Sequence, residues 1–217
     1  MGLTPAVEWL REAYHNLERG NGVRVIERGG RRLVRIEWLN LVTEPKILQS
    51  IAYVIAEVCR ERNYSPDAVS SIETSGAKYG VAASMALGIP YFSIHKFEKI
   101  IFTSVASVTS HSQTEGREVR FFLDRDAVSR FKRIILVDDI RRTSRTIDLA
   151  IELLQSCGLQ VEACFTVFDF KFAKHPLPSR IKPERYHPLF IISAVEQDGR
   201  CSVEGGEALK RLGVSAR

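Results

Sequence analysis

Nowhere in the 217 residues is there a run of about 18 uninterrupted apolar residues, so no membrane-spanning helix and no membrane partner are expected. The first residues carry no basic start leading into an apolar stretch and a small-residue cleavage site, so no secretory leader is expected either. Cysteine is sparse. Cys59, Cys157, Cys164 and Cys201 are scattered, without CxxC spacing or a nearby histidine. That pattern argues against a disulfide frame or a zinc site and reads as the reduced, mostly buried thiols of a cytoplasmic protein. His95, His111, His175 and His187 likewise lack ligand spacing, so no protein-built metal site is expected. Internal repeats, low-complexity tracts and linkers are missing too, which leaves a single domain over residues 1–217.

What is present is ordinary globular material, 45% hydrophobic and 26% charged, enough for one sizeable core. The net charge of +5 is mild and fits a small anionic ligand at least as well as nucleic acid. Residues 125–145 hold seven basic groups against three acids, which alone reads as a solvated face.

Thr4-Pro5 predicts a helix start, with Val7, Leu10, Tyr14 and Leu17 on one face. VRVIERGGRRLVRIEW predicts a hairpin around Gly29-Gly30. Thr43 is expected to cap a helix buried through Ile47, Leu48, Ile51, Ile55 and Val58. VSSI, YFSI, IILV and LQVEACFTVF read as strands, with small-residue and amphipathic helices between them stopped by Gly88 and Gly158. Residues 103–123 read as two longer strands around Gly116, and after a Pro-rich stretch one more strand is expected at 189–195. Strand–helix alternation with near-continuous apolar strands predicts an α/β fold, a mostly parallel sheet covered on both faces. Ligands in such sheets sit beyond the carboxyl ends of the strands. Three of those ends carry polar turns: Glu73 to Ala77, His95 to Lys99, and Asp138 to Thr146.

The third turn has the most chemistry in it. In RIILVDDIRRTSRTIDLAIELL, a buried run breaks off at two adjacent carboxylates and a hydroxyl-rich, basic turn then enters a helix. Free N–H groups and the positive end of the helix dipole favour a phosphate there. Thr143, Ser144 and Thr146 add hydroxyls and Arg145 a bidentate fork. Carboxylates would repel that phosphate but suit sugar hydroxyls, so the pattern asks for a sugar phosphate.

This stretch resembles the phosphoribosyl-diphosphate (PRPP) loop of type I phosphoribosyltransferases. Glu73-Thr74-Ser75-Gly76, with the helix and LGIPYFSIHK after it, resembles the pyrophosphate loop of the xanthine and adenine members. Trp38-Leu39-Asn40 resembles their base-contacting segment, SVTSHSQTEGREV their mobile hairpin, and VFDFK a base-contacting strand end, in the right order over residues 33–171. Two departures stand out. The family's Thr-Gly-Gly-Thr turn reads Thr143-Ser144-Arg145-Thr146, a strain of about 1 kcal/mol or more if positive φ is needed. His95 stands where many members have Arg.

The resemblance implies the family's sheet with a small hood from residues 1–45 and 170–217 and a flexible hairpin over 97–123. It implies Mg²⁺-dependent transfer of a 5-phosphoribosyl group from PRPP to a purine base, in a homodimer, with nucleic acid not expected as a partner. Asp138 and Asp139 would hold the ribose hydroxyls at the reacting centre. Arg142, Thr143, Ser144, Arg145 and Thr146 would bind the 5′-phosphate, although Arg141 and Arg142 on their own read as exposed. Glu73, Thr74, Ser75, Gly76, Ala77, Lys96 and Lys99 would bind pyrophosphate. Asn40, Phe168 and Asp169 are the base-contact candidates, Phe168 by stacking and Asp169 by accepting from a ring N–H. Two other readings remain: a PRPP-sensing regulator, for which the segment before residue 40 is short of a helix-turn-helix, and an orotate enzyme, faintly suggested by His95-Lys96-Phe97-Glu98-Lys99.

Overall fold

The computed structural model of the protein describes residues 5–112 and 117–215. Helix α1 (Pro5–Arg19) buries Val7, Leu10, Tyr14 and Leu17, the stripe read from their spacing. Thr4, its expected cap, lies outside the described residues. Strands β1 (Val23–Arg28) and β2 (Arg31–Ile36) form an antiparallel ribbon turned by Gly29 and Gly30 at φ 57° and 69°, the left-handed backbone that a two-residue hairpin needs. One helical turn, α2 (Glu37–Asn40), leads to α3 (Pro45–Glu61). Thr43 does not cap α3. Its hydroxyl donates to the Trp38 carbonyl at 3.0 Å, and the helix opens at Pro45 after an extended Glu44, the backbone a residue before proline prefers.

The rest of the chain is β3 (Ala68–Ile72), α4 (Ala77–Leu87), β4 (Tyr91–Ile94), the antiparallel hairpin β5 (Val105–Ser112) and β6 (Arg117–Asp124), α5 (Arg125–Val128), β7 (Arg133–Arg141), α6 (Arg145–Ser156), β8 (Gln160–Phe170), β9 (Tyr186–Val195), β10 (Cys201–Gly205) and α7 (Glu207–Arg211). Gly116, the expected turn of the hairpin, lies outside the described residues. Six strands form one sheet in the order β10-β9-β8-β7-β3-β4, parallel throughout except for β10. Alternation along β7 and β8 divides the core. Ile135, Val137, Ala163 and Phe165 face the side covered by α1, α3, α4 and α7. Ile134, Leu136 and Cys164 face α6 and the β5–β6 hairpin. Burial on both faces is why these strands read as unbroken apolar runs. Among the described residues, no helix is long and apolar enough to cross a membrane.

The two terminal segments are also built into the core. Helix α1 belongs to the main core, and its Tyr14 hydroxyl donates to the Val203 carbonyl on β10 at 2.8 Å. From Tyr186 the chain adds two strands to the sheet, one more than expected. Pro188 obscures β9 in the sequence because proline cannot donate to a ladder. Here it falls just outside the β9–β10 ladder, which ends at the pair Phe190↔Gly205. The β1–β2 ribbon and the β5–β6 hairpin stand apart as two separate two-stranded sheets.

Candidate active site

Strand β3 has β7 on one side and β4 on the other, so the connections on either side of it run to opposite parts of the sheet. The carboxyl ends of these three strands meet at that switch point, where open parallel sheets leave a crevice. The three polar turns read from the sequence are therefore neighbours in space. The turn after β3 begins with a cis Glu73–Thr74 peptide bond. Glu73 Oε2 lies 2.8 Å from His95 Nδ1 and 3.9 Å from Lys99 Nζ. The His95 approach is close but lacks hydrogen-bond geometry. Edge strand β4 is tied to the hairpin through His95, whose N–H donates to the Phe122 carbonyl at 3.0 Å and whose carbonyl accepts from Phe122 N–H at 2.8 Å.

The acid pair sits near the end of β7. Asp138 is only 5% exposed, and its Oδ1 accepts from the Asp139 N–H at 3.0 Å. Burial first, and the neighbouring Asp139 charge second, push the Asp138 carboxyl well above the usual range, while Lys96 pulls it back. Such a carboxyl gains from any cation brought beside it. Gly76 touches this acid: a Cβ there would stand 2.8 Å from Asp138 Oδ1 and 3.0 Å from the Ile72 carbonyl. The pyrophosphate-type turn and the acid pair are thus in contact across two strands. Among the described residues, no three His, Cys, Asp or Glu side chains gather as a metal cage. The acid pair fits an ion held chiefly by substrate oxygens and water, the usual situation for Mg²⁺.

The turn after Arg141 carries its substitutions without backbone strain. Ser144 has φ −75°, and neither Ser144 nor Arg145 lies in the left-handed region where only glycine is comfortable. Ser144 stands at the start of α6 but makes no side-chain cap bond. Its hydroxyl donates away from the turn, to the Pro176 carbonyl at 2.5 Å. Arg145 Nε donates to Ser110 Oγ on β5 at 2.9 Å, linking the turn to the hairpin. Thr143 and Thr146 are half-buried, and Arg142 is exposed.

Arg141, read from the sequence as exposed, is 3% exposed and sits at the centre of a closed polar network. Its Nε and Nη2 donate to both oxygens of Asp169, at 2.8 and 2.5 Å. Its Nη1 donates to the His175 and Pro176 carbonyls at 3.2 and 3.1 Å, with Ser144 Oγ at 3.4 Å. Tyr186 donates its hydroxyl to the same carboxylate at 3.1 Å. Burial alone would lower the Arg141 pKa; Asp169 and Tyr186 more than offset it, and the guanidinium stays firmly charged.

These contacts revise the base-contact candidates. Asp169 is the penultimate residue of β8, at the strand end as expected, but its carboxylate already accepts three hydrogen bonds from Arg141 and Tyr186. Phe168 is fully buried, stacked on Phe190 with centroids 5.4 Å apart and tilted against Trp38 at 5.3 Å. Asn40 closes its own helical turn, its Oδ1 accepting from Ile36 N–H at 2.9 Å. Lys96 and Lys99 project as exposed cations. Lys78, which sequence reasoning missed, bridges two parts of the crevice: its Nζ donates to the Leu39 carbonyl at 2.6 Å, burial lowers its pKa and the Asp139 charge raises it. The available signal was a single cation in the first turn of an otherwise small-residue helix.

A cavity of about 640 Å³ opens beside the end of β7, past the acid pair. Ile140, Phe170, Phe172 and the Ala194–Val195 edge form its apolar part, the β1–β2 ribbon covers it through Leu33 and Val34, and Arg32, Arg142 and Lys174 supply charge.

Comparison with known proteins bears on this geometry. The phosphoribosyl transferase domain family matches residues 37–202. The chain is 28% identical over 142 residues to adenine phosphoribosyltransferase of a Nocardioides species, covering 64% of this chain and 73% of that protein. It is 26% identical over 136 residues to xanthine phosphoribosyltransferase of Brevibacillus brevis, covering 62% and 68%. In fold it matches the crystal structure of adenine phosphoribosyltransferase from Thermoanaerobacter pseudethanolicus with a TM-score of 0.63 at 19% identity, over 84% of this chain and 98% of that one. The Saccharomyces cerevisiae adenine phosphoribosyltransferase matches at 0.64 and 17%, over 81% and 96%.

Proposed function

The chain belongs to the phosphoribosyl transferase domain family, and on that footing we propose that it transfers a 5-phosphoribosyl group from PRPP to a purine base, releasing pyrophosphate. The observation that carries the reading is the contact between Gly76 and Asp138, which brings an anion-binding turn and a buried acid pair into one crevice at the switch point of the sheet. Asp138 and Asp139 hold the ribose hydroxyls, with Asp138 favouring the positive charge that develops at ribose C1. The N–H groups opening α6, with Thr143, Thr146 and Arg145, bind the 5′-phosphate. Thr74 to Ala77 bind pyrophosphate through the backbone, with Lys96 and Lys99 beside them, and the 97–123 hairpin excludes water as it closes. The bond from ribose C1 to the pyrophosphate oxygen breaks, leaving its electron pair on pyrophosphate, and a ring nitrogen of the base forms the new bond to C1, any proton on that nitrogen leaving to water or to the released pyrophosphate. Mg²⁺ carried with PRPP would neutralise the leaving group, held at the protein side by Asp138 and Asp139.

With Phe168 and Asp169 committed elsewhere, the acceptor base occupies the cavity beside Ile140. The reading includes a homodimer and residence in the cytoplasm. Purified protein with PRPP, Mg²⁺ and a panel of bases, assayed for pyrophosphate release, tests it. Release that needs both PRPP and a purine supports it. No release with any base, together with DNA binding modulated by PRPP, replaces it with a sensor of PRPP.

A further inference from the structure

We infer that the acceptor is an acidic, oxygen-rich heterocycle that binds as its anion, not a neutral aminopurine; this rests on the transferase reading above. The cavity past the acid pair presents three cations, Arg32, Arg142 and Lys174, and no carboxylate, side-chain amide or histidine among its lining residues. Two consequences follow. An exocyclic amino group, as in adenine, is a donor and needs an acceptor; the three charged side chains are donors only, which leaves the Ser193 hydroxyl as the side-chain acceptor in this lining. A neutral base must also lose a ring N–H proton when its nitrogen bonds to ribose C1, and no lining side chain is a base able to take it. An acceptor that enters as an anion brings no such proton, and three cations, each exposed to solvent at the cavity, are placed to stabilise its charge.

None of the three nearby carboxylates, Asp138, Asp139 and Asp169, lines the cavity. Asp169 is buried and accepts three hydrogen bonds from Arg141 and Tyr186. Asp138 faces Gly76 on the pyrophosphate side. Arg32 is held over the cavity by its ribbon, with Nη2 donating to the Val195 carbonyl at 2.5 Å. Two ligand classes share the required chemistry: a dioxopurine such as xanthine, acidic through its ring N–H, and a carboxylated pyrimidine such as orotate.

The test measures kcat/KM for xanthine, orotate, hypoxanthine and adenine at saturating PRPP and Mg²⁺, with calorimetric binding of PRPP measured separately. The expected result is a preference of at least about tenfold for xanthine or orotate over adenine, with xanthine KM falling as pH rises through xanthine's own ionisation. Arg32→Gln and Lys174→Gln should each raise acceptor KM by on the order of tenfold, the worth of one charge-assisted hydrogen bond, and leave PRPP binding unchanged. Turnover of xanthine but not orotate assigns the purine class, and the converse assigns the pyrimidine class. PRPP binding with adenine as best acceptor, or an acceptor KM unmoved in both variants, overturns this inference alone. Absence of PRPP binding overturns the transferase reading and this inference with it.

Discussion

Replacing Asp169 with Ala would leave Arg141 charged and buried without its partner. Both residues are 3% exposed, and the carboxylate accepts three hydrogen bonds, two from Arg141 and one from Tyr186. Removing one member of a buried pair costs about 3–5 kcal/mol, because the survivor's desolvation is no longer offset. In a chain of this size each kcal/mol moves the melting temperature by about 2–4 °C, so calorimetry should register a fall of about 6–20 °C. The double variant Arg141→Met/Asp169→Leu, apolar and of similar volume, should recover most of that loss. It should not recover function to the same degree. Arg141 also ties Ser144 and the His175 and Pro176 carbonyls to β8, so without it the phosphate turn is less fixed and KM for PRPP rises by about tenfold or more, a split between stability and binding. A loss below about 1 kcal/mol in the single variant, the scale of a solvated surface pair, would refute the reasoning.

Asp138→Asn should abolish nearly all turnover yet stabilise the protein at neutral pH. A carboxyl whose folded pKa is raised favours the protonated form, so wild-type stability falls as pH climbs from the ordinary carboxylate range toward the folded value, and Asn removes that penalty. Urea melts at pH 4 and pH 8 check it: the variant's advantage should appear only at the higher pH. His187 works in the other direction. Burial against Phe165 and Tyr64, followed by the nearby Arg62 charge, lowers its pKa to about 4. The unfolded chain therefore takes up this proton first, and stability should drop by about 3 kcal/mol as pH falls from about 6.5 to about 4. His187→Gln should flatten that slope in denaturant titrations, and an unchanged slope would exclude the assignment.

The parts of the fold that were legible in the sequence are those fixed by local patterning. IILV is apolar because both its faces are covered, VSSI carries only small serines between its two apolar residues for the same reason, and the stripe of α1 announces its buried side. The three polar turns could be grouped because parallel strands place their carboxyl ends at one edge. Legibility ended where partners lie far apart in sequence. Arg141 looks like one more cation in a basic run until Asp169 and Tyr186 arrive from β8 and β9 to neutralise it. Phe168 looks like a stacking platform until Phe190 fills the space beside it. Thr43 was read as a helix cap and Asn40 as a base contact; instead Asn40 closes its own helical turn, and the hydroxyl of Thr43 has a nearer carbonyl in Trp38. The charge lining the cavity was invisible for the same reason: Arg32, Arg142 and Lys174 come from a ribbon, a turn and a segment after β8.

The bare α-carbon at position 76 acts as a spacer of zero thickness. With no methyl group between them, the loop following one strand rests directly on the acid of its neighbour. Under the proposed transferase reading, the gap between leaving group and sugar would thereby be set by main chain, which side-chain drift elsewhere cannot widen. On that reading, variation that retunes the acceptor could accumulate along the ribbon and behind β8 while the distance over which the bond breaks stayed the same.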